Sequence, residues 1–510
     1  MSTNVDRQSV AIIGAGFAGL SAAAYLAKAG YQVEVFEKNK EVGGRARQFK
    51  TEEGYVFDMG PSWYWMPEVF EKFFSDFGYT ASDFYELVLL DPSFSVIFKD
   101  RDLAIPSNYA DLRKLFEEIE PGSALKLDAF MKEAEFKYNI GMKKLVYKPG
   151  ISLTEFVDLD LIKGIFKLQV FTSFSKHVKK YFKHPKLIAL MEFPVLFLGA
   201  TPEDTPALYS LMNYAGLKLG TWYPKGGFGE VVHAMKKVGE NLGVKFHLEQ
   251  PVINLQLTKN RIQKVVTHKQ EKTFDAIIAS ADYHHIEQEL LPEKFRNYSK
   301  KYWDSRVLAP SCLIFYLGIN KRLTGLQHHT LFFDEDLKKH AMEIYKDPKW
   351  PDKPLFYVCC PSKTDSKVAP ENHENVFILI PIATDLSDTT SQREKYFDLV
   401  IKRLEQYIGE EIISAIAYKK SYCVNDFKLD YNSFKGNAYG LANTLKQTAN
   451  LKPSIENKML NNLFYSGQLT VPGPGVPPSI ISGTVAANEV IKYLKHDALR
   501  VNNPINLKSY

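Results

Sequence analysis

Gly14, Gly16 and Gly19 stand in the spacing G-x-G-x-x-G, with Ala15 after the first and Phe17-Ala18 after the second. Glycines so spaced turn a chain tightly and bring backbone amides against an anionic group; the chemistry they suit is the holding of a pyrophosphate. Glu37, followed by Lys38, lies about 20 residues beyond the glycines, where an acid accepts hydrogen bonds from both hydroxyls of an adenosine ribose. A ribose 2′-phosphate would be repelled there, which argues against NADP. These residues need a strand, a turn, a helix and a second strand to hold them. Val10-Ala11-Ile12-Ile13 is the continuous apolar run of a strand buried on both faces, Leu20 to Ala29 is an alanine-rich helix ended by Gly30, and Tyr31 to Phe36 alternates into a strand finishing at Glu37. The helix N-terminus then faces the phosphates.

A second glycine pair followed by arginine, Gly43-Gly44-Arg45, is not needed for NAD. It resembles the second fingerprint of the flavoproteins that include amine oxidases, protoporphyrinogen oxidase and carotenoid desaturases, where these residues border the FAD diphosphate. Gly60-Pro61-Ser62 is a turn, and Trp63-Tyr64-Trp65-Met66 behind it is either core or the wall of a cofactor pocket.

Composition sets wide bounds. A chain of 510 residues, 45% hydrophobic and 13% aromatic, is long enough for two or three domains and suits a large apolar cavity. A net charge of +5 over this length carries no nucleic-acid footprint. Cys312, Cys359, Cys360 and Cys423 have no metal-ligand spacing, and a reducing compartment is expected. Residues 1–8 are polar and lead directly into the first strand, so no signal peptide is expected, nor a membrane-spanning helix.

Along the chain, 68–148 reads as helices broken at Ser107-Asn108 and Pro121-Gly122, and helical pattern continues from Thr154 to Leu217. Within it, Leu161 to Leu190 carries Lys163, Lys167, Lys176, Lys179, Lys180, Lys183 and Lys186 and no acid, interleaved with large apolar residues. That pattern suits either a helix lying in an anionic membrane surface or a solvated basic face over ordinary core. Tyr223 to Gly229 is a glycine-rich turn opening a helix from Glu230 to Leu242. Strands follow at Val244 to Leu248, Val252 to Leu257, Ile262 to Thr267 and Phe274 to Ala279, and a separate sheet is expected from Leu313 to Ile319, Thr330 to Phe333, Leu355 to Cys359 and Val376 to Ile380. Near the C-terminus, Asn462 to Gln468 reads as a strand ending in Gly467-Gln468, Leu469 to Pro478 as a loop that includes Val476-Pro477, and Ser479 to Leu494 as a helix. Backbone amides at that helix start face a bound flavin in this reading.

Together these motifs resemble the bacterial-type phytoene desaturases. The resemblance runs through Phe57-Asp58-Met59-Gly60-Pro61, Phe197 to Pro202, Trp222 to Gly227, Gly436-Asn437-Ala438-Tyr439-Gly440 and Tyr465 to Pro477; Ala281 to His285 and Gln327 to Phe333 look most like the Bacteroidetes branch. The resemblance implies an α/β fold: a Rossmann-type FAD-binding domain of the flavin amine oxidase and GDP-dissociation-inhibitor class, a substrate domain of mixed sheet plus helices, and a helical membrane-associating insertion. The expected division is 1–75, 219–285 and 436–510 for the FAD-binding part, 76–218 for the helical insertion and 286–435 for the substrate sheet. It further implies non-covalent FAD, a linear carotenoid drawn from the membrane, oxygen or a quinone as electron acceptor, and a peripheral, cytoplasmic location on the inner face of the cell membrane. The implied cofactor-binding set is Gly14 to Gly19, Glu37, Lys38, Gly43 to Arg45, Gly60 to Ser62, Val252, Gly467, Gln468, Val476 and Pro477.

A flavin carries the hard step of such a reaction, so no catalytic side chain is assigned. Glu133 and Glu135 are candidates for a proton acceptor against a solvated helix face. The pairs His284-His285 and His328-His329 have no cysteine or acid at ligand spacing, and no metal is expected. The alternatives are a 1-hydroxycarotenoid 3,4-desaturase, which shares every cofactor motif, an amine or porphyrinogen oxidase, and a flavin-free chaperone for prenyl lipids.

Overall fold

A computed structural model describes residues 8–152, 168–444, 446–448 and 451–502. Its first sheet is parallel and five-stranded, in the order Leu463–Tyr465, Ala276–Ala279, Ser9–Ile13, Gln32–Phe36 and Lys245–His247. Val10 pairs with Val33 on one side and Ala276 on the other, so Ser9–Ile13 is central, and its unbroken apolar run follows from burial on both faces. Val10 and Ile12 join the core under the helices Phe17–Lys28 and Val476–Asn502. Ala11 and Ile13 point the opposite way, with Leu255, Ile262 and Val265 of a three-stranded antiparallel sheet. The sheet draws its strands from three separate stretches of chain.

The second sheet has seven strands, in the order Ile416–Tyr422, Ser311–Ile319, Glu374–Ile382, Phe356–Cys359, His329–Phe332, Phe94–Ile97 and Asp102–Ile105. It is antiparallel except where His329–Phe332 runs parallel to Phe94–Ile97. Leu313, Phe315 and Leu317 face the helix Thr390–Ile408, whereas Cys312, Ile314 and Tyr316 face the core shared with the first sheet. This period of two lets one strand serve as core on one side and as cavity wall on the other.

The fold corrects two readings of the sequence. Residues 68–148 are not all helical: Leu87–Leu89, Phe94–Ile97 and Asp102–Ile105 are strands, the last two forming a hairpin closed by Lys99-Asp100-Arg101. Runs this short carry little periodic signal, and two of them pair with distant strands, Leu87–Leu89 with Trp222–Pro224 and Phe94–Ile97 with His329–Phe332. The C-terminal helix starts at Val476 rather than Ser479, since prolines in a first turn give up no needed hydrogen bond. Asn108 does act as a break, accepting hydrogen bonds from the amides of Ala110 and Asp111 as the N-cap of Tyr109–Ile119. Among the described residues, no helix is long and apolar enough to cross a membrane.

Candidate functional site: a cavity between the two sheets

A cavity of about 950 Å³ lies between the sheets, and its two ends differ in chemistry. At one end the glycine-rich turn leaves the central strand. Gly14 has φ +101°, and a Cβ there would sit 2.9 Å from the Ala281 amide nitrogen; a Cβ on Gly19 would meet the Gly14 carbonyl oxygen at 2.0 Å. These two glycines are fixed by protein packing. Gly16 is different, because a Cβ on it would meet no protein atom within 4 Å; it faces the cavity. Glu37 closes the turn: Oε2 accepts from the Ala15 amide at 2.8 Å, and Oε1 accepts from the backbone and side-chain nitrogens of Asn39, both at 2.9 Å. Oε2, which accepts only this one bond among the described residues, keeps lone-pair capacity.

Arg45 follows Gly43-Gly44 and is half-buried. One of its terminal nitrogens donates to Ser433 Oγ at 3.1 Å and to the Asn437 carbonyl at 3.2 Å, its guanidinium lies 4.9 Å over the Tyr431 ring, and its Nε has no partner among the described residues. Burial pushes the Asp282 carboxyl up to about 6, against the pull of Arg45 and of backbone amides. Asp58, which accepts from the Phe228 and Gly229 amides and so anchors the helix Phe228–Asn241, is likewise raised to about 6 by burial.

The other end is apolar. Trp65, Met142, Leu211, Met212, Ile314 and Leu379 supply most of its wall. Trp63 and Trp65 line the cavity, while Tyr64 between them is fully buried and stacked 4.1 Å from Phe70, so the aromatic cluster is both wall and core. The polar groups of the lining include Tyr357, whose hydroxyl bonds Ser62 Oγ at 2.9 Å and His329 Nδ1 at 2.6 Å, the bonded pair Tyr209 and Thr448, and Asn443, whose Oδ1 is buried with no partner among the described residues. Every carboxylate lining the cavity among the described residues, Glu37, Asp282 and Asp430, lies at the glycine-rich end.

Of the residues expected to bind a cofactor, Gly14, Gly16, Phe17, Ala18, Glu37, Lys38, Gly43, Gly44, Arg45, Gly60, Pro61, Ser62, Val252, Gly467, Gln468, Val476 and Pro477 line this one cavity. Ala15 and Gly19 do not: Ala15 acts through its amide on Glu37, and Gly19 only lets the helix approach the strand. Sequence reasoning missed Asp430, Tyr431 and Asn432, which line the glycine-rich end beside Lys38 and carry no motif. Glu133 and Glu135 are away from the cavity, accepting hydrogen bonds from Tyr181 and Tyr214, so neither serves as proton acceptor there.

The lysine-rich stretch is described only in part. Lys163 and Lys167 lie outside the described residues. The rest is two short helices, Phe174–Tyr181 and Pro185–Glu192, whose Phe174, Val178, Leu187 and Leu190, with the intervening Phe182, are buried in protein core, leaving Lys176, Lys179, Lys180 and Lys183 on a solvated face. The exposed apolar residue nearby is Phe171, 88% exposed at the cavity margin. Finally, the fold pairs His329 with Cys359 across adjacent strands, so the histidine pair does have a cysteine neighbour that spacing in sequence did not show. Burial pushes His328 down to about 3 and His329 well below the usual imidazole range.

The profile of the family described as flavin containing amine oxidoreductase matches residues 17–491. The chain belongs to that family. It is 39% identical over 492 residues to a carotenoid 3,4-desaturase of Haloarcula japonica, covering 96% of this chain and 99% of the relative. It is 29% identical to a zeta-carotene-forming phytoene desaturase of Myxococcus xanthus, over 97% and 96% of the two chains. Among solved structures, an oxidoreductase from Methanosarcina mazei matches with TM-score 0.60 at 16% identity over 94% of this chain and all of that one, and a putrescine oxidase variant with TM-score 0.61 at 13% identity over 95% and 99%. The protein is a carotenoid desaturase, an oxidoreductase with FAD as its cofactor. The cavity of the desaturase fits that cofactor: it is lined by Gly16 with open space beside it, by Arg45, whose buried Nε has no partner among the described residues, and by the carboxylate of Glu37.

Proposed function

We propose that this carotenoid desaturase introduces a double bond near the end of a linear carotenoid that bears a hydroxyl group, a 3,4-desaturation. The observation that carries the reading is Asn443 Oδ1, a buried acceptor with no partner among the described residues, in a mostly apolar wall. A buried polar atom left unpaired costs about 1–3 kcal/mol, and a substrate hydroxyl removes that cost. The 39% relative carries the 3,4-desaturase name. A second reading, stepwise desaturation of phytoene toward lycopene, is favoured by the otherwise apolar wall and by the phytoene desaturase of Myxococcus xanthus.

FAD supplies hydride acceptance from an allylic C–H bond. The chain's own residues orient and enclose: the tryptophans and aliphatic side chains exclude water from the polyene, while Glu37, Arg45 and the amides at the glycine-rich turn hold the dinucleotide. In this reading 1–75, 219–285 and 436–510 act together as the cofactor-binding part. The desaturase binds peripherally to an anionic membrane through Phe171 and the neighbouring lysines, so that an insoluble substrate enters from lipid, and it passes electrons to oxygen or a quinone.

Liposomes loaded with phytoene or with a 1-hydroxylated linear carotenoid test the proposal, with product read by absorbance. Faster conversion of the hydroxylated substrate is expected. Conversion of phytoene alone would overturn the first reading in favour of the second, and conversion of neither would overturn both.

A further inference from the structure

Beside Tyr357, the strands His329–Phe332 and Phe356–Cys359 bring three soft or borderline donors together. His328, His329 and Cys359 are buried, and one ligand atom from each lies within 4.8 Å of the others. The hydrogen bonds around them have a definite pattern. His328 Nδ1 is engaged by Thr364 Oγ1 at 2.7 Å and His329 Nδ1 by the Tyr357 hydroxyl at 2.6 Å, while the Nε2 of each ring is buried with no partner among the described residues. Metal-ligating histidines are oriented in this way, with one ring nitrogen held by an oxygen and the other left with its lone pair free. His329 is fixed further by Trp63, stacked on it at 4.3 Å. His328 and Cys359 also line a small separate cavity with Asp58 and Tyr223, which leaves room for a fourth ligand.

We propose that His328, His329 and Cys359 form a site for a divalent ion that favours imidazole and thiolate, zinc(II) first, with its fourth position open toward the cavity beside Asp58. Imidazole nitrogen and thiolate sulfur are both zinc donors, whereas magnesium and calcium prefer oxygen. Zinc–nitrogen and zinc–sulfur bonds of about 2.0–2.3 Å need the donors drawn in by about 1 Å, a movement within side-chain rotation. On binding, the Sγ–H bond of Cys359 is replaced by a metal–sulfur bond and one proton leaves to solvent; no electron is transferred. The ion ties the two strands together and, through His329, holds Tyr357 at the wall of the substrate cavity. The inference rests on these side chains alone and stands whichever carotenoid is the substrate.

The test uses the FAD-loaded protein, stripped with a chelator and titrated with zinc(II), then with cobalt(II) as a spectroscopic probe. Expected are one zinc ion retained per chain by elemental analysis, one proton released in weakly buffered solution, and a thiolate-to-cobalt charge-transfer band. Cys359→Ser should lose the band, and both it and His328→Gln should hold zinc at least tenfold more weakly, each with its flavin absorbance intact as proof of folding. Wild-type protein that binds neither ion, or folded variants that bind as the wild type does, would overturn the site.

Discussion

The two ends of the cavity are built in opposite ways. At the glycine-rich end the wall includes short near-contiguous segments, Gly16 to Ala18 and Gly43 to Arg45, and carries the cavity's carboxylates, Glu37, Asp282 and Asp430. At the other end the wall is side-chain carbon from residues scattered over more than 200 positions, among them Trp65, Met142, Met212, Ile314 and Leu379. Backbone amides can be aimed only by a particular turn, and a turn is specified locally by glycine. An apolar wall asks only for bulk of about the right size, which many residues supply. One end therefore constrains its sequence tightly and the other loosely.

Substitutions at the two ends should accordingly differ in size and in what they spare. Glu37→Ala is expected to act most strongly, removing the carboxylate that holds the Ala15 amide and faces the ribose. Charge-assisted hydrogen bonds are worth about 1.5–3 kcal/mol each, so flavin affinity should fall tenfold or more by titration of the apoprotein. Unchanged affinity would break the assignment of that end to the nucleotide.

Gly16→Ala sharpens the contrast within the turn itself. Its Cβ meets no protein atom, so the thermal midpoint of the apoprotein should hold while flavin binding weakens by about tenfold. Gly14→Ala should lower both, because there the clash is with protein and φ is positive. If Gly16→Ala purified fully yellow, the pyrophosphate would have to lie elsewhere.

At the apolar end, Asn443→Leu should leave flavin content unchanged and slow conversion of a hydroxylated carotenoid about fivefold, in line with about 1 kcal/mol for one hydrogen bond, without slowing phytoene. Equal effects on both substrates would remove Asn443 from substrate selection. The smallest effect is expected at the surface. A charge near an anionic membrane is worth about 1 kcal/mol, so Lys176→Gln should reduce liposome co-sedimentation less than about fivefold at low salt and not at all at high salt. A salt-independent loss would show that the residue does more than attract the surface.

Much of the glycine-rich end is legible in the amino-acid sequence, since the constraints on Gly14, Gly19 and Glu37 act between neighbours along the chain or between adjacent strands. The parallel sheet is legible for the same reason: a strand buried on both faces leaves a continuous apolar run such as Val10 to Ile13. What tertiary structure decided was everything assembled from distant parts. Phe94–Ile97 is too short to declare its period, and it became a strand by pairing with His329–Phe332. The lysine-rich stretch has the pattern of an interfacial helix, and the fold buries its Phe174, Val178 and Phe182 in protein core while leaving Phe171 exposed, a division an amphipathic pattern does not encode. Cys359 met the histidine pair because strand register set it opposite His329, and register belongs to the folded sheet, not to spacing along the chain.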